Sequence, residues 1–278
     1  MFLLFYLVSL QLAGWFLAEL NNPLLSGTSV ILITGLTANV LCLRIFESRP
    51  LADCGLWLNN CTGRNLLLGL AGGAGAATIV LVPPVVSGAA HFVSLPAEPP
   101  TAGGVAFLIG MLAAGSIGEE LLFRGYGLQV LIAAIGPWAT ILPLGVLFGA
   151  LHYGNPGATI LSSAITAGFG VLFGYAYLRS HDLWLPIGLH FGWNFTLPVF
   201  GVNMSGLRIR ATGYEMTWSA GTLWSGGDYG PEASILTLAV LVLLFLYIRR
   251  IPVRRQKSPL IDPPSEGVVC ESSQPLPS

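Results

Sequence analysis

Charged residues are scarce in this chain of 278 residues: Asp, Glu, Lys and Arg together make up 9% of it, and the formal net charge is -1. Hydrophobic residues make up 54%, and the mean hydropathy is +0.74. A water-soluble domain needs more charge on its surface, so this composition excludes an ordinary soluble protein and predicts an integral membrane protein. The net charge gives no reason to expect a nucleic-acid partner.

Several common motifs are also missing. The four cysteines form no CxxC pair and no zinc-ribbon spacing, which argues against a structural metal module or a redox motif. The chain has no HExxH sequence and no repeat of fixed period. Its N-terminus lacks a basic region and a small-residue cleavage site, so we interpret residues 2–19 as a retained membrane span and not as a signal peptide.

Eight apolar segments approach the length of about 20 residues that a membrane-spanning helix needs. They lie at residues 2–19, 25–44, 65–87, 102–120, 137–153, 157–178, 182–200 and 232–250. The predicted fold class is therefore all-α, a polytopic transmembrane helical bundle of about eight spans. The fifth segment is short and Pro186 interrupts the seventh, so both are expected to be tilted or packed inside the bundle. Residues 121–136 either continue the fourth span or form an amphipathic helix at the interface.

The basic residues fall unevenly on the two sides of this arrangement. Ten Lys and Arg residues lie on the side that carries both termini, and two, Arg208 and Arg210, lie on the other. Because basic residues favour the cytoplasmic side, both termini are expected in the cytoplasm, with the loops at 20–24, 88–101 and 201–231 outside. In a bacterium the membrane would be the plasma (inner) membrane.

These assignments divide the chain into five segments. They are N-terminal transmembrane helices at 1–100, a helical core at 101–200, an extracytoplasmic loop at 201–231, a last transmembrane helix at 232–250 and a cytoplasmic tail at 251–278. The tail is rich in Pro and Ser, which predicts disorder. The loop is long for a connection between helices, and is either a cap over the outer mouth of the bundle or a solvent-exposed linker.

Polar side chains at the depth of the predicted spans are few. An ionisable residue at a helix centre costs about 2.5 to 3.5 kcal/mol on insertion, so such residues face the bundle interior and mark function. The candidates for such a site are Glu119, Glu120, His152, His190 and Asn194. Residues four apart share a helix face. The pairs with this spacing are Glu120 with Arg124, Phe148 with His152, and His190 with Asn194.

The two adjacent glutamates are expected to have different roles. Glu120 before Arg124 is the favourable order for an ion pair, so Arg124 is expected to hold Glu120. Glu119 points about 100° away around the helix and stays free to meet the two histidines. A carboxylate beside two imidazoles either acts as a general base on water, or binds with them a divalent metal such as zinc that activates the water. Asn194 either orients His190 or donates a hydrogen bond to a developing oxyanion.

Each of these residues also has a purely structural interpretation. A lone histidine inside a membrane often joins two helices by a hydrogen bond, and paired glutamates at the end of a span commonly mark the interface. Phe148 suits packing, and Trp193 suits the aromatic belt at the membrane surface. The conjunction of one Glu and two His on three separate spans favours the functional interpretation.

Three motifs resemble those of a known family. EELLFR (119–124), FGALH (148–152) and HFGWN (190–194) are similar, in order and approximate separation, to the EExxxR, FxxxH and HxxxN motifs of the CAAX protease and bacteriocin-processing (CPBP, or Abi) family of intramembrane endopeptidases. That family is related to the type II CAAX prenyl endopeptidase. The resemblance covers residues 100–200, the expected catalytic core, and the other spans match only in being hydrophobic.

The resemblance implies a role for each site residue. Glu119 would be the base that activates water, His152 would help to position that water, and His190 with Asn194 would form the oxyanion site. The supporting residues would be Glu120, Arg124 and Phe148. Family members are described both as metalloproteases and as metal-independent glutamate proteases, so it stays open whether Glu119, His152 and His190 hold a metal.

The function indicated is an intramembrane endopeptidase that acts, in the lipid bilayer, on a hydrophobic or lipid-modified peptide or membrane protein. Two alternatives belong to other classes. A proton-coupled transporter also uses intramembrane Glu and His, but the sequence shows no matching second half of the kind that transporters carry. A non-catalytic immunity or binding protein would keep the fold without the chemistry, and the intact motifs argue against it.

Overall fold

The structure, a computed structural model, describes residues 1–17, 22–95, 100–262 and 271–272. It is mostly helical. The helices are α1 (Phe2–Leu17), α2 (Pro23–Cys42), α3 (Asn60–Val86), α4 (Ala102–Arg124), α5 (Tyr126–Ile135), α6 (Pro137–Leu151), α7 (Ile160–Ser180), α8 (Trp184–Val199), α9 (Thr222–Ser225) and α10 (Ile235–Arg250). Single turns of other helix types lie at Leu43–Glu47, Leu51–Cys54, His152–Gly154, Gly227–Tyr229 and Pro231–Ala233.

Polar residues set the starts of the long helices. Asn22, Thr101, Thr159 and Ser234 each accept a hydrogen bond from the amide three residues further on, and Asn59 accepts one from Cys61. The first amides of a helix have no partner within it, and these side chains supply one. The sequence thus marks the points at which α2, α3, α4, α7 and α10 begin.

Helices occur at all eight predicted span positions, but the count of eight spans is not confirmed. Four helical segments among the described residues are long and apolar enough to cross a membrane: Leu24–Glu47, Asn60–Val86, Ala102–Ile135 and Ile160–Ser180. Helices α6, α8 and α10 have 15, 16 and 16 residues. At 1.5 Å per residue they are about 22 to 24 Å long, shorter than a hydrocarbon core of about 30 Å.

Helix α8 lies inside the bundle. Pro186 does not interrupt it, because α8 begins at Trp184 and Pro186 therefore occupies the first turn, where the missing amide costs no hydrogen bond. Leu185 and Leu189 are buried on successive turns, and Leu197 is buried two turns further on. The seventh predicted segment is therefore packed inside the bundle, one of the two arrangements expected for it.

Helices α3 and α8 approach each other closely. A Cβ atom added to Gly73 of α3 would overlap the carbonyl oxygen of Leu189, and one added to Gly188 of α8 would overlap that of Leu66. Only glycine permits such backbone contact, which is a common way for helices to associate within a membrane. This contact fixes the position of α8 and of the polar residues that it carries.

Helix α5 follows α4 after a break at Gly125. Asn39 of α2 holds the junction: its Nδ2 donates to the carbonyl oxygen of Leu121 at 2.9 Å, and its Oδ1 accepts from the amide of Tyr126 at 2.7 Å. Both backbone groups flank the break and need partners away from water. Residues 102–135 form one long apolar segment, so α5 continues the fourth span.

The segment between α8 and α10 packs on one end of the bundle. Its strand β2 (Tyr214–Trp218) pairs antiparallel with β1 (Ala90–Ser94), with His91 opposite Thr217. Val202, Met204 and Tyr229 of this segment are buried. This end of the bundle is called the loop end below. Of the expected outer loops at 20–24 and 88–101, residues 20–21 and 96–99 lie outside the described residues, as does the end of the first expected span, 18–19.

The tail expected to be disordered from residue 251 is packed against the bundle as far as residue 262. Gln256 and Ser258 are buried, and Gln256 Nε2 donates to Asp182 Oδ2 at 2.8 Å. Asn65 Nδ2 donates to the carbonyl oxygen of Arg254 at 2.7 Å. The tail is held because Asp182 and Asn65 are buried polar groups that need partners. Strand β3 (Arg254–Arg255) pairs with β4 (Glu271–Ser272), and residues 263–270 and 273–278 lie outside the described residues.

Candidate active site

Glu120 connects α4 to α8. Its side chain is fully buried, and its Oε1 accepts hydrogen bonds from Arg124 Nη1 at 3.2 Å and from His190 Nδ1 at 2.9 Å. The contact with Arg124 is the i,i+4 pair expected from the sequence. The contact with His190 was not expected, and it gives Glu120 a second function, that of orienting an imidazole on another helix.

Arg124 is buried in a cage of aromatic rings. Its guanidinium carbon lies 5.4 Å, 4.9 Å and 5.3 Å from the ring centroids of Phe123, Phe148 and Phe173. Its Nη2 donates to the carbonyl oxygen of Gly170 at 2.8 Å. The ring faces, the carbonyl oxygen and Glu120 together compensate for removing the cation from water. Phe148 therefore stabilises the Arg124 cation by a cation–π interaction, in addition to packing in the core.

Glu119 faces the two histidines. Its Oε2 lies 4.0 Å from His152 Nε2 and 3.9 Å from His190 Nε2. Both distances are longer than a direct hydrogen bond. Each is short enough for one water molecule to bridge Glu119 Oε2 and the imidazole nitrogen, at about 2.8 Å from each atom. This oxygen is buried and has no hydrogen-bond partner among the described residues. The arrangement brings Glu119, His152 and His190, from three separate elements, around one point.

His152 ends α6 and begins the turn His152–Gly154. Its Nδ1 lies 2.7 Å from the carbonyl oxygen of Phe148, one helical turn earlier. A carbonyl oxygen only accepts, so Nδ1 carries the proton and, in the neutral ring, Nε2 presents a lone pair toward Glu119. The four-residue spacing of FGALH is thus the reason that Nε2 points into the site.

His190 lies between the two glutamates. Its ring stacks on Phe173 with centroids 5.0 Å apart and an angle of 17° between the planes. Its Nδ1 is bound to Glu120, so Nε2 is the nitrogen that faces Glu119. Asn194 follows one turn later on the same face of α8 and is half-buried.

The three side chains were also expected as ligands of a divalent metal. One Glu and two His are a suitable donor set for zinc. Ligand atoms about 2.1 Å from a tetrahedral zinc are roughly 3.4 Å apart, which is less than the 3.9 and 4.0 Å observed. No group of three or more His, Cys, Asp or Glu within the described part of the chain is arranged to hold a metal ion. As placed, the three side chains are too far apart to be ligands of one tetrahedral zinc ion.

Two residues that the sequence does not assign to the site, Trp193 and Glu232, lie beside it. Trp193 is buried, with 3% of its surface exposed, so its expected place in an interfacial belt is wrong. Its Nε1 donates to Glu232 Oε1 at 3.0 Å, and Glu232 is itself buried in the turn Pro231–Ala233. A glutamate directly before an apolar span was the available signal, and it was interpreted as the start of that span.

A family model confirms the resemblance seen in the three motifs. Residues 101–196 match the model described as Rce1-like, type II CAAX prenyl endopeptidase Rce1-like. The match covers about a third of the chain, from α4 into α8, and includes all the expected catalytic residues. No curated protein and no solved structure matches the chain. The matched family and the apolar helices together indicate an integral membrane hydrolase of the CAAX protease type.

Proposed function

We propose that this protein is an intramembrane endopeptidase that hydrolyses a peptide bond in a hydrophobic or lipid-modified peptide or membrane protein. In this proposal Glu119 and His152 activate the water, and His190 with Asn194 stabilises the oxyanion. The observation that carries the proposal is the position of Glu119 Oε2, buried and within 4.0 Å of Nε2 of both His152 and His190.

The first step is attack by water on the carbonyl carbon of the scissile peptide bond. Water between Glu119 Oε2 and His152 Nε2 gives one proton to the carboxylate as its oxygen bonds to that carbon. Glu119 is assigned as the base because its Oε2 faces Nε2 of both histidines, whereas Glu120 binds Arg124 and His190 Nδ1. The products of this step are a protonated Glu119 and a tetrahedral intermediate with a negative oxygen.

The second step is collapse of that intermediate. Donors aimed at the negative oxygen stabilise it, and His190 Nε2 and the Asn194 amide would supply them. Since His190 Nδ1 already donates to Glu120, donation from Nε2 requires the imidazolium form. In this proposal His190 enters the reaction as the imidazolium and keeps both protons throughout. The C–N bond then breaks, the proton on Glu119 passes to the leaving nitrogen, and the carboxylate of Glu119 is restored.

The surroundings of the site support the proposed substrate class. The helices that carry it are part of an apolar bundle, and the matched family is that of the type II CAAX prenyl endopeptidase. A prenyl chain on a substrate cysteine partitions into lipid, which brings the adjacent peptide to a site at membrane depth. A farnesylated peptide that ends in a CAAX sequence is therefore the probe of choice.

The test is cleavage of an internally quenched farnesylated CAAX peptide by the purified protein and by three variants. Glu119→Ala, His152→Ala and His190→Ala are each expected to lose about 100-fold or more in rate, the scale of general acid–base and oxyanion contributions. Glu215→Gln, a change in an ion pair at the loop end, is the control and keeps the rate. Full activity in all three alanine variants would exclude this site.

A further inference from the structure

Glu232 lies in a buried polar site outside residues 101–196, the part of the chain that matches the family model. Its Oε1 accepts from Trp193 Nε1 at 3.0 Å. Its Oε2 accepts from both the amide and the hydroxyl of Ser205, the latter at 3.0 Å. Its side chain is buried, with 8% of the residue surface exposed. Through these hydrogen bonds the buried carboxylate of Glu232 connects Ser205 at the loop end to Trp193 of α8.

The donors around Glu232 require a carboxylate and not an amide. Three N–H or O–H groups point at two oxygens, and each oxygen receives at least one of them. A carboxylate accepts on both oxygens, whereas a glutamine amide accepts on one and presents N–H groups on the other. A glutamine at this position would therefore direct its own N–H groups at the N–H of Trp193 or at the N–H and O–H of Ser205, and at least one hydrogen bond would be lost.

A continuous row of aromatic rings leads from this connection to the catalytic histidine. The Trp193 ring lies 4.8 Å from that of Phe169, which lies 5.9 Å from Phe173, and Phe173 stacks on His190 at 5.0 Å. Packed interiors deform little, so a shift of the Trp193 indole is transmitted along this row. The position of His190 thus depends in part on what holds Trp193.

The segment that carries Glu232 also contacts the turn after His152. A Cβ atom added to Gly157 would come within 2.9 Å of the amide nitrogen of Tyr229, so the two backbones are in close contact. Tyr229 is fully buried, and its carbonyl oxygen accepts from the amide of Gly206 at 2.8 Å. The segment that carries Glu232 therefore contacts both α8, which carries His190, and the chain just after His152.

We propose that Glu232 is a positioning residue of the active site: by binding Trp193 and Ser205 at once, it locks the loop end onto α8 and fixes His190 and Asn194 relative to His152. This proposal rests on the proposed function. It makes the segment between α8 and α10, which lies outside the matched residues 101–196, a functional part of the enzyme.

The experiment compares the intact protein with Glu232→Gln, Trp193→Phe and the double variant, using the quenched farnesylated CAAX peptide. Trp193→Phe removes one hydrogen bond and keeps the carboxylate, so it remains informative if Glu232→Gln folds poorly. Glu215→Gln is the matched control, the same change in an ion pair with Arg210 in the same segment. The measurements are kcat, KM, the thermal midpoint and hydrogen exchange of residues 184–209.

We expect Glu232→Gln to lower kcat about 10- to 100-fold with KM nearly unchanged, the scale of a misplaced catalytic group. Trp193→Phe lowers kcat in the same direction, and the double variant is no worse than Glu232→Gln alone, because both changes break one connection. Hydrogen exchange in 184–209 becomes faster in Glu232→Gln and stays unchanged in Glu215→Gln.

Two results would overturn this proposal: an unchanged kcat in Glu232→Gln, or a loss of kcat that merely follows the loss of folded protein. The proposed function fails separately, when wild type and Glu119→Ala process the peptide equally. In that case hydrogen exchange decides the role of Glu232, and unchanged exchange in both Glu232→Gln and Trp193→Phe would overturn the connection itself.

Discussion

Glu120 Oε1 lies 2.9 Å from His190 Nδ1, and this contact joins α4 to α8 at the centre of the site. The same oxygen binds Arg124, so a single buried carboxylate compensates a cation and fixes the orientation of an imidazole. The adjacent Glu119 is left to face Nε2 of both histidines. Two neighbouring carboxylates on one helix thus make different contacts because they point in different directions.

Glu120→Gln is expected to reduce the free energy of unfolding of the protein. Arg124 would lose its buried counter-charge, and breaking a buried ion pair in this way costs about 3–5 kcal/mol. The measurement is the thermal unfolding midpoint in detergent. Glu215→Gln, in a partly exposed pair, should change the stability by about 1 kcal/mol or less. Equal midpoints for the two variants would show that the Glu120 contacts do not hold the bundle together.

Gly73→Ala is expected to separate α3 from α8. Its Cβ would overlap the carbonyl oxygen of Leu189, and such overpacking costs about 1–3 kcal/mol. Gly75→Ala on the same helix meets no atom within 4 Å and is the control. The control should be neutral or slightly stabilising, since alanine favours a helix. Unfolding midpoints measure both, and a Gly73→Ala midpoint as high as that of Gly75→Ala would contradict the close contact.

Asp262 should make the packing of the tail sensitive to acid. Burial alone would raise the pKa of its carboxyl, but the hydrogen bond and charge from His181, the amide of Ser258 and the charge of Arg255 together lower the pKa below its ordinary value. A carboxyl with a depressed folded pKa adds stability above its unfolded pKa, about 3.9, and this stability disappears as the pH falls through the folded pKa.

The corresponding measurement compares the unfolding midpoints of wild type and Asp262→Asn from neutral to strongly acidic pH. The advantage of wild type should be constant near neutral pH and shrink once the pH falls below the ordinary value for aspartate. A difference that stays the same at every pH would contradict the role assigned to the His181–Asp262 contact, whose atoms are 2.8 Å apart.

Treatment with a metal chelator should leave the cleavage rate unchanged. The distances from Glu119 Oε2 to the two imidazoles are wider than those between ligands of one zinc ion. The check is the rate on the farnesylated peptide before and after dialysis against EDTA, together with metal analysis of the protein. Loss of activity that added zinc restores would show that the three side chains close around a metal.

The sequence predicts best what depends on spacing within one helix. The four-residue separations explain why Glu120 meets Arg124 and why His152 binds the carbonyl oxygen of Phe148. Contacts between distant segments have no such local signal. The bonds from His190 to Glu120 and from Trp193 to Glu232 join residues 70 and 39 positions apart, and they depend on how the helices pack.

Composition was also misleading at the end of the chain. The Pro- and Ser-rich composition of the tail predicts disorder, yet Gln256 and Ser258 are buried. Their partners Asp182 and Gln129 are single polar residues that a sequence cannot match to a tail in advance. The count of eight spans stays a prediction, because α6, α8 and α10 are apolar but shorter than the hydrocarbon core of a membrane.

The decisive measurement is the rate at which Glu119→Gln cleaves the farnesylated CAAX peptide, compared with wild type at an equal thermal midpoint. The amide keeps the shape of the side chain but cannot take a proton from water, so the rate should fall about 100-fold or more. A variant that folds normally and cleaves the peptide at the wild-type rate would contradict the role of Glu119 as the base.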